Sequence, residues 1–254
     1  MYFDTHAHYD DSWFDEDREE VLRALPEAGV SLVVNCGCDE QSSQAAVELA
    51  HRYDFIYAAV GWHPHDVKTW DDTSADKLRR WAEDPKVVAI GEIGLDYHYD
   101  LEWKELQHEI LEKQLCIAEE LALPVIIHDR EAHGDCMNIL RRHPGLLGEF
   151  HCYSGSAEMA KEILGWGWYL GFNGSITMQD ARRALETLVM MPSDRMLLAT
   201  DCPYLAPLPR INGRRNDYRC LPQVAQKMAE TLKTTPELVA QVCMENGKRF
   251  FGIA

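Results

Sequence analysis

Apolar runs with strand character alternate with longer helix-like stretches from one end of the chain to the other, and few architectures tolerate that pattern. Strand-like runs begin at Tyr2 and Phe3 and recur at residues 31–35, 55–60, 87–90, 124–127, 146–150, 168–172 and 195–199. The stretches between them predict helices over 15–28, stopped by Gly29, and over 42–53, 74–83, 103–121, 131–142, 157–165 and 179–189. Two further helices, 221–232 and 236–245, close the chain. Eight βα repeats without a linker or a shift in composition predict an α/β fold, a single (β/α)8 TIM-type barrel with residues 1–254 as one domain. An open doubly wound sheet competes with it, but no Gly-x-Gly-x-x-Gly turn follows the first strand.

The opening residues carry no basic start followed by an apolar stretch, and no run approaches the roughly 20 apolar residues of a membrane span. The eight cysteines are scattered without a CxxC, and Cys36-Gly37-Cys38 is too tight for an ordinary zinc knuckle. Together these features predict a cytoplasmic protein with free thiols and no membrane partner. A formal charge of −17 excludes a broad, non-specific coat of nucleic acid. It leaves room for a local basic patch: Arg210, Arg214, Arg215 and Arg219 are opposed only by Asp217. A solvated loop is the plain alternative for that cluster.

Barrel enzymes gather their chemistry at the C-terminal ends of the strands. His6 and His8, in Asp4-Thr5-His6-Ala7-His8, end the first strand, where side chains at i and i+2 share a face. His63 follows the third strand within Gly61-Trp62-His63-Pro64-His65, and Glu92 follows the fourth in Gly91-Glu92-Ile93-Gly94. His128 ends the fifth strand, His151 the sixth and Asp201 the eighth. Any one of these has a bland reading as a carbonyl cap or a turn former. Their convergence on one rim does not, and imidazoles with two carboxylates suit a pair of divalent ions.

These motifs resemble the TatD family of metal-dependent hydrolases, within the amidohydrolase superfamily. The likeness covers essentially the whole chain, from Phe3-Asp4-Thr5-His6-Ala7-His8 through Thr200-Asp201-Cys202-Pro203-Tyr204 to Asn246-Gly247-Lys248-Arg249-Phe250-Phe251. It implies two divalent ions per chain (Mg2+, Mn2+ or Zn2+): His6, His8, Glu92 and Asp201 around one, and Glu92, His128 and His151 around the other, with Glu92 bridging. It also implies metal-dependent DNA hydrolysis, mostly 3′-to-5′ exonuclease and endonuclease action, with single-stranded DNA or DNA ends as substrate. The family commonly carries a basic Gly-Lys/Arg-x-Asn stretch, which Gly213-Arg214-Arg215-Asn216 matches. Cys202 stands where the family often has Ser, and Trp62 where an aliphatic residue is usual, so substrate choice is the property these departures touch.

Within that frame Asp201 is the candidate general base as well as a ligand. His63 reads as a phosphate or leaving-group contact, or a weak ligand, and His65 and His98 as structural or surface residues. Asp96 and Asp129 read as orienting partners of metal-bound imidazoles or as loop caps. Tyr97, Tyr153 and Tyr204 read as stacking faces for bases or as rim packing, and Arg214 with Arg215 as the phosphate attraction. A nucleophilic Cys202 is disfavoured, since metals supply hydroxide. A monomer is expected. An amide, ester or lactone hydrolase and a non-catalytic metal-binding protein are the competing functions.

Overall fold

The computed structural model describes residues 1–99, 101–211 and 213–254. Asn212, at the head of the expected basic loop, lies outside the described residues. In chain order the elements are β1 (Tyr2–Ala7), α1 (Arg18–Ala24), β2 (Val30–Cys36), α2 (Glu40–Arg52), β3 (Ile56–Val60), α3 (Ser74–Ala82), β4 (Val87–Asp96), α4 (Lys104–Leu121), β5 (Val125–Arg130), α5 (His133–Leu140), β6 (Gly148–Phe150), α6 (Ala157–Gly165), β7 (Tyr169–Phe172), α7 (Arg182–Met190), β8 (Met196–Leu198), α8 (Leu221–Leu232) and α9 (Pro236–Phe251). Eight strands, each followed by a helix, are the (β/α)8 order that the apolar alternation predicts. Among the described residues no helix is long and apolar enough to cross a membrane.

The chain divides into two compact units, Met1–Asn35 with His151–Ala254, and Cys36–Phe150. In the first, β1 pairs in parallel with β2, and β7 with β8. The turn after β8 is stitched to β1: Asp201 N–H donates to His6 O at 2.8 Å and His8 N–H to Cys202 O at 2.8 Å. Helix α9 covers this region, with a Cβ on Gly247 falling 2.6 Å from the Phe3 ring, so only glycine lets the helix approach so closely. The helix runs past the expected end at residue 245 because its last turn is structural. Asn246 Nδ2 donates to Ser193 O and Met196 O at 2.8 Å each, and Phe250 and Phe251 bury against Tyr169 and Phe3.

In the second unit β3, β4, β5 and β6 pair successively in parallel. β4 continues six residues beyond the end expected from the sequence, and all ten of its residues are buried. Gly91 and Gly94 serve close packing. A Cβ on Gly94, whose φ is +154°, would lie 1.9 Å from His128 O, and one on Gly91 would lie 2.6 Å from Ile126 Cβ. Glu92 and His128 therefore project from within paired strands rather than from loops past their ends. Precise placement of both side chains follows from that rigidity.

Candidate metal centre

Each unit gathers ligand-type side chains at the C-terminal ends of its strands. In the first unit, the two-residue period of β1 brings His6 and His8 to one face, with their Nε2 atoms 3.1 Å apart. Asp201 Oδ1 lies 3.7 Å from His6 Nε2 and 3.5 Å from His8 Nε2. The His151 ring stacks on His6 with centroids 3.9 Å apart and planes 9° from parallel. All four side chains are buried. Asp201 takes φ +58°, a conformation that a non-glycine residue adopts at a cost, and the bond from its N–H to His6 O holds it there.

Asp4, two residues before His6 on β1, locks the turn. Its carboxyl accepts from Thr200 N–H at 2.8 Å and from Thr200 Oγ1 at 2.7 Å. Full burial pushes the Asp4 carboxyl up to about 7, against the opposing effect of those two bonds. Asn216 Nδ2 adds bonds to Thr200 O and Tyr204 O at 2.7 Å each. The Gly213-Arg214-Arg215-Asn216 stretch thus braces the Asp201 turn.

In the second unit His128 Nδ1 faces Glu92 Oε1 at 2.7 Å, and its Nε2 faces Asp96 Oδ2 at 3.0 Å. His63 Nε2 lies 3.7 Å from the same Glu92 oxygen. Burial opposes protonation of His128, yet the bonds to Asp96 and Glu92 outweigh it and the ring is pushed up to about 9. Burial likewise raises Asp96, but hydrogen bonds from His128 and His65 hold its carboxyl well below the usual range. Two inward glutamines of α4 fix the loops that carry these groups. Gln114 accepts from Trp62 N–H at 2.7 Å and donates to Trp62 O at 3.0 Å, one residue before His63. Gln107 clasps the backbone of Asp96 in the same way, at 2.9 and 3.0 Å.

Both clusters fit divalent ions by donor type and spacing. Ligand atoms about 2.0–2.2 Å from one ion stand roughly 3.0–3.6 Å apart. The His6, His8 and Asp201 atoms, at 3.1, 3.5 and 3.7 Å, lie close to that spacing, and the His63, Glu92 and His128 ligand atoms form a second group within 4.8 Å of one another. The Asp96 bond to His128 Nε2 fixes the ring with Nδ1 toward Glu92, the orienting role expected of Asp96.

His63 stands level with Glu92 and His128, and His65 Nε2 lies 3.0 Å from Asp96 Oδ2, a structural role of the kind expected of it. Other expectations change. Asp129 Oδ2 pairs with His133 Nδ1 at 2.8 Å rather than with a candidate ligand. Tyr153 is only 3% exposed and donates to Ser156 O, which leaves no face for a base. Tyr97 is engaged by Asp135 and His108. Arg215 forms a two-pronged pair with Asp17 at 2.6 and 2.7 Å and lies over Phe14, so its charge is already committed inside the unit. Arg219 pairs with Asp217, whereas Arg214 is exposed. Burial pushes the Cys202 thiol far above its ordinary range, which removes it as a nucleophile. His98, as expected, meets Glu131 at the surface.

Three residues were not anticipated. Trp13, 49% exposed, lies beside the half-exposed Tyr204 with centroids 6.4 Å apart, and Tyr204 lies edge-on to His8. Asn173 Nδ2 reaches Asp201 Oδ2 at 3.5 Å; a polar residue directly after the seventh apolar run is the same signal that marks the other strand ends. Glu149 is fully buried in β6 and neither carboxyl oxygen has a hydrogen-bond partner among the described residues. Burial, reinforced by Glu92, raises it well above the ordinary carboxylate range.

A profile of the family described as TatD related DNase matches residues 3–252. The chain belongs to the TatD family. It is 40% identical to the uncharacterized metal-dependent hydrolase YabD of Bacillus subtilis, across all of both chains. It is 37% identical to the 3′-5′ ssDNA/RNA exonuclease TatD of Cronobacter sakazakii, covering 98% of this chain and 97% of that one. The crystal structure of the TatD homologue YjjV from Escherichia coli superposes with a TM-score of 0.92 at 30% identity, covering 100% and 98% of the two chains. This TatD-family chain is a metal-dependent hydrolase on a (β/α)8 fold, with side-chain clusters able to hold metal ions.

Proposed function

We propose that this protein is a nuclease that removes nucleotides from the 3′ end of single-stranded DNA, using two divalent ions (Mg2+, Mn2+ or Zn2+). His6, His8 and Asp201 would hold one ion, His128 and His151 the other, and Glu92 would be shared. The observation that carries this reading is the meeting of two imidazole Nε2 atoms and a carboxylate oxygen at ligand spacing. Full-length relatives named as exonucleases supply the substrate class. We take residues 1–254 as one functional domain, in keeping with a family match over 3–252, and as a monomer. A cytoplasmic setting suits eight free cysteines.

When bound, the ions supply Lewis acidity toward a phosphoryl oxygen and make a nearby water more acidic. The protein's own groups do the rest. Asp201 Oδ1 faces the two imidazoles, and Oδ2 accepts the proton of the attacking water while Asn173 Nδ2, 3.5 Å away, steadies the carboxylate. Asp96 holds the His128 ring in one orientation. His63 Nε2, beside Glu92, contacts the phosphate. Tyr204 and Trp13 offer faces to the terminal bases, a contact indifferent to sequence. Exposed Arg214 attracts the backbone, Arg215 keeping the loop in place from behind.

The test strips the protein of metal and restores Mg2+, Mn2+ or Zn2+ singly, with single-stranded DNA labelled at its 5′ end. The expected product is a ladder shortening from the 3′ end. Failure with all three ions, alongside turnover of an amide, ester or lactone, would transfer the protein to the competing hydrolase class.

A further inference from the structure

A second group of ligand-type side chains lies in the second unit beside the N-terminal ends of β5 and β6, at the opposite ends of those strands from His128. Cys116 and Glu119 are one turn apart on α4, and His143 follows α5; one ligand atom from each lies within 4.8 Å of the others. Glu112, a turn before Cys116, completes the group. We propose that Cys116, Glu119 and His143 bind one transition-metal ion of the Zn2+ or Co2+ type, with Glu112 orienting the imidazole.

The imidazole carries the argument. His143 is 5% exposed, and its Nε2 donates to Glu112 Oε1 at 3.2 Å. Arg142 occupies the other Glu112 oxygen at 2.5 Å, which holds that carboxylate in place. A neutral ring that donates from Nε2 presents a lone pair at Nδ1. That Nδ1 is buried without a hydrogen bond, yet it sits 3.2 Å from Glu119 Oε2. Two acceptors facing each other at that distance repel unless a cation lies between them. Their separation is the edge expected of nitrogen and oxygen ligands about 2.1 Å from one ion.

Glu112, His143 and the cluster reproduce the carboxylate–imidazole–metal relay found behind metal-bound histidines. Solvent reaches the site because Cys116 is exposed and Glu119 is partly so. Partial burial, with Glu112 and Glu119 nearby, raises the Cys116 thiol. A bound cation reverses that bias, and the thiol proton leaves to solvent as the sulfur becomes a ligand. A sulfur, nitrogen and oxygen donor set favours Zn2+ or Co2+ over Mg2+ or Ca2+.

Titration of the full-length, metal-depleted protein with Co2+ reads the site directly, through thiolate-to-metal charge-transfer absorption that nitrogen and oxygen ligands do not give. The expected band saturates at one ion per chain, with about one proton released. Cys116→Ser abolishes it and lowers the total Co2+ bound by one per chain, while nuclease activity with Mg2+ is unchanged. Cys38→Ser leaves the band intact. Glu112→Gln, a near-isosteric change at a half-buried position, weakens the site about 10–100-fold. A wild-type protein without the band, or a band that survives Cys116→Ser, overturns the proposal. His143 is then a structural link between two glutamates, and only that role remains.

Discussion

Replacing Gln114 with Met removes a polar clamp while keeping side-chain length and volume, so the effect isolates two hydrogen bonds. Gln114 is 1% exposed, and its amide satisfies both the N–H and the C=O of Trp62. Water cannot take over at a site that solvent does not reach. Each buried backbone group left without a partner costs about 1–3 kcal/mol, so the pair costs roughly 2–6 kcal/mol in unfolding free energy. A Met of similar volume fills the space, so the change in packing itself costs less than about 1.5 kcal/mol.

The same substitution reaches the chemistry. Trp62 immediately precedes His63, whose Nε2 is positioned 3.7 Å from Glu92. Released from the clamp, that turn samples positions in which His63 no longer faces Glu92. Turnover on DNA falls about 10–100-fold as the side chain spends less time in place. Urea denaturation with a steady-state assay on the same preparation measures both effects. A stability loss below about 1 kcal/mol, with normal turnover, refutes the idea that α4 holds the His63 turn through this glutamine.

Asp201→Asn keeps the bond from its backbone N–H to His6 O and so preserves the fold, but it removes the proton acceptor; turnover is expected to fall about 10²–10⁴-fold, with the thermal midpoint within a few degrees of wild type. Glu149 is raised in the folded state, so between its unfolded value of 4.5 and its folded value the unfolded chain ionises while the native one keeps its proton. Stability of the metal-depleted protein relative to Glu149→Gln should therefore fall by about 1.4 kcal/mol per pH unit above pH 4.5, and a flat difference in denaturation series across that range would contradict the protonated buried acid. The two loop arginines should separate: Arg215→Ala costs about 1–2 kcal/mol of stability through its half-buried pair with Asp17, whereas Arg214→Ala leaves stability unchanged and raises KM for DNA more than for a small phosphodiester. Equal KM effects on the two substrates would remove Arg214 from DNA binding.

What was legible in the sequence is what depends on local periodicity. The apolar alternation located all eight strands, and the i, i+2 spacing of His6 and His8 translated directly into two imidazoles 3.1 Å apart. The end of β4 was not legible, because Gly91 and Gly94 look the same whether they permit a turn or a close strand approach; only the neighbouring Ile126 and His128 O decide. Charge type is similarly blind to commitment. Arg214 and Arg215 are identical letters in one motif, and the difference between them is Asp17, nearly two hundred residues away, which turns Arg215 inward.

Glu149 shows the reverse failure, a signal present but unread. An acid in the middle of the 146–150 apolar run has either to face solvent or to be buried as a neutral group, and the sixth strand is buried at every position. Its proximity to Glu92 makes it one of two carboxyls in the same unit with opposed surroundings. Glu92 is met by His128 and His63, while Glu149 is met by no hydrogen-bonding partner among the described residues. A protonated Glu149 adds no second negative charge beside Glu92, so the charge offered to a cation stays on the carboxylate that the histidines surround.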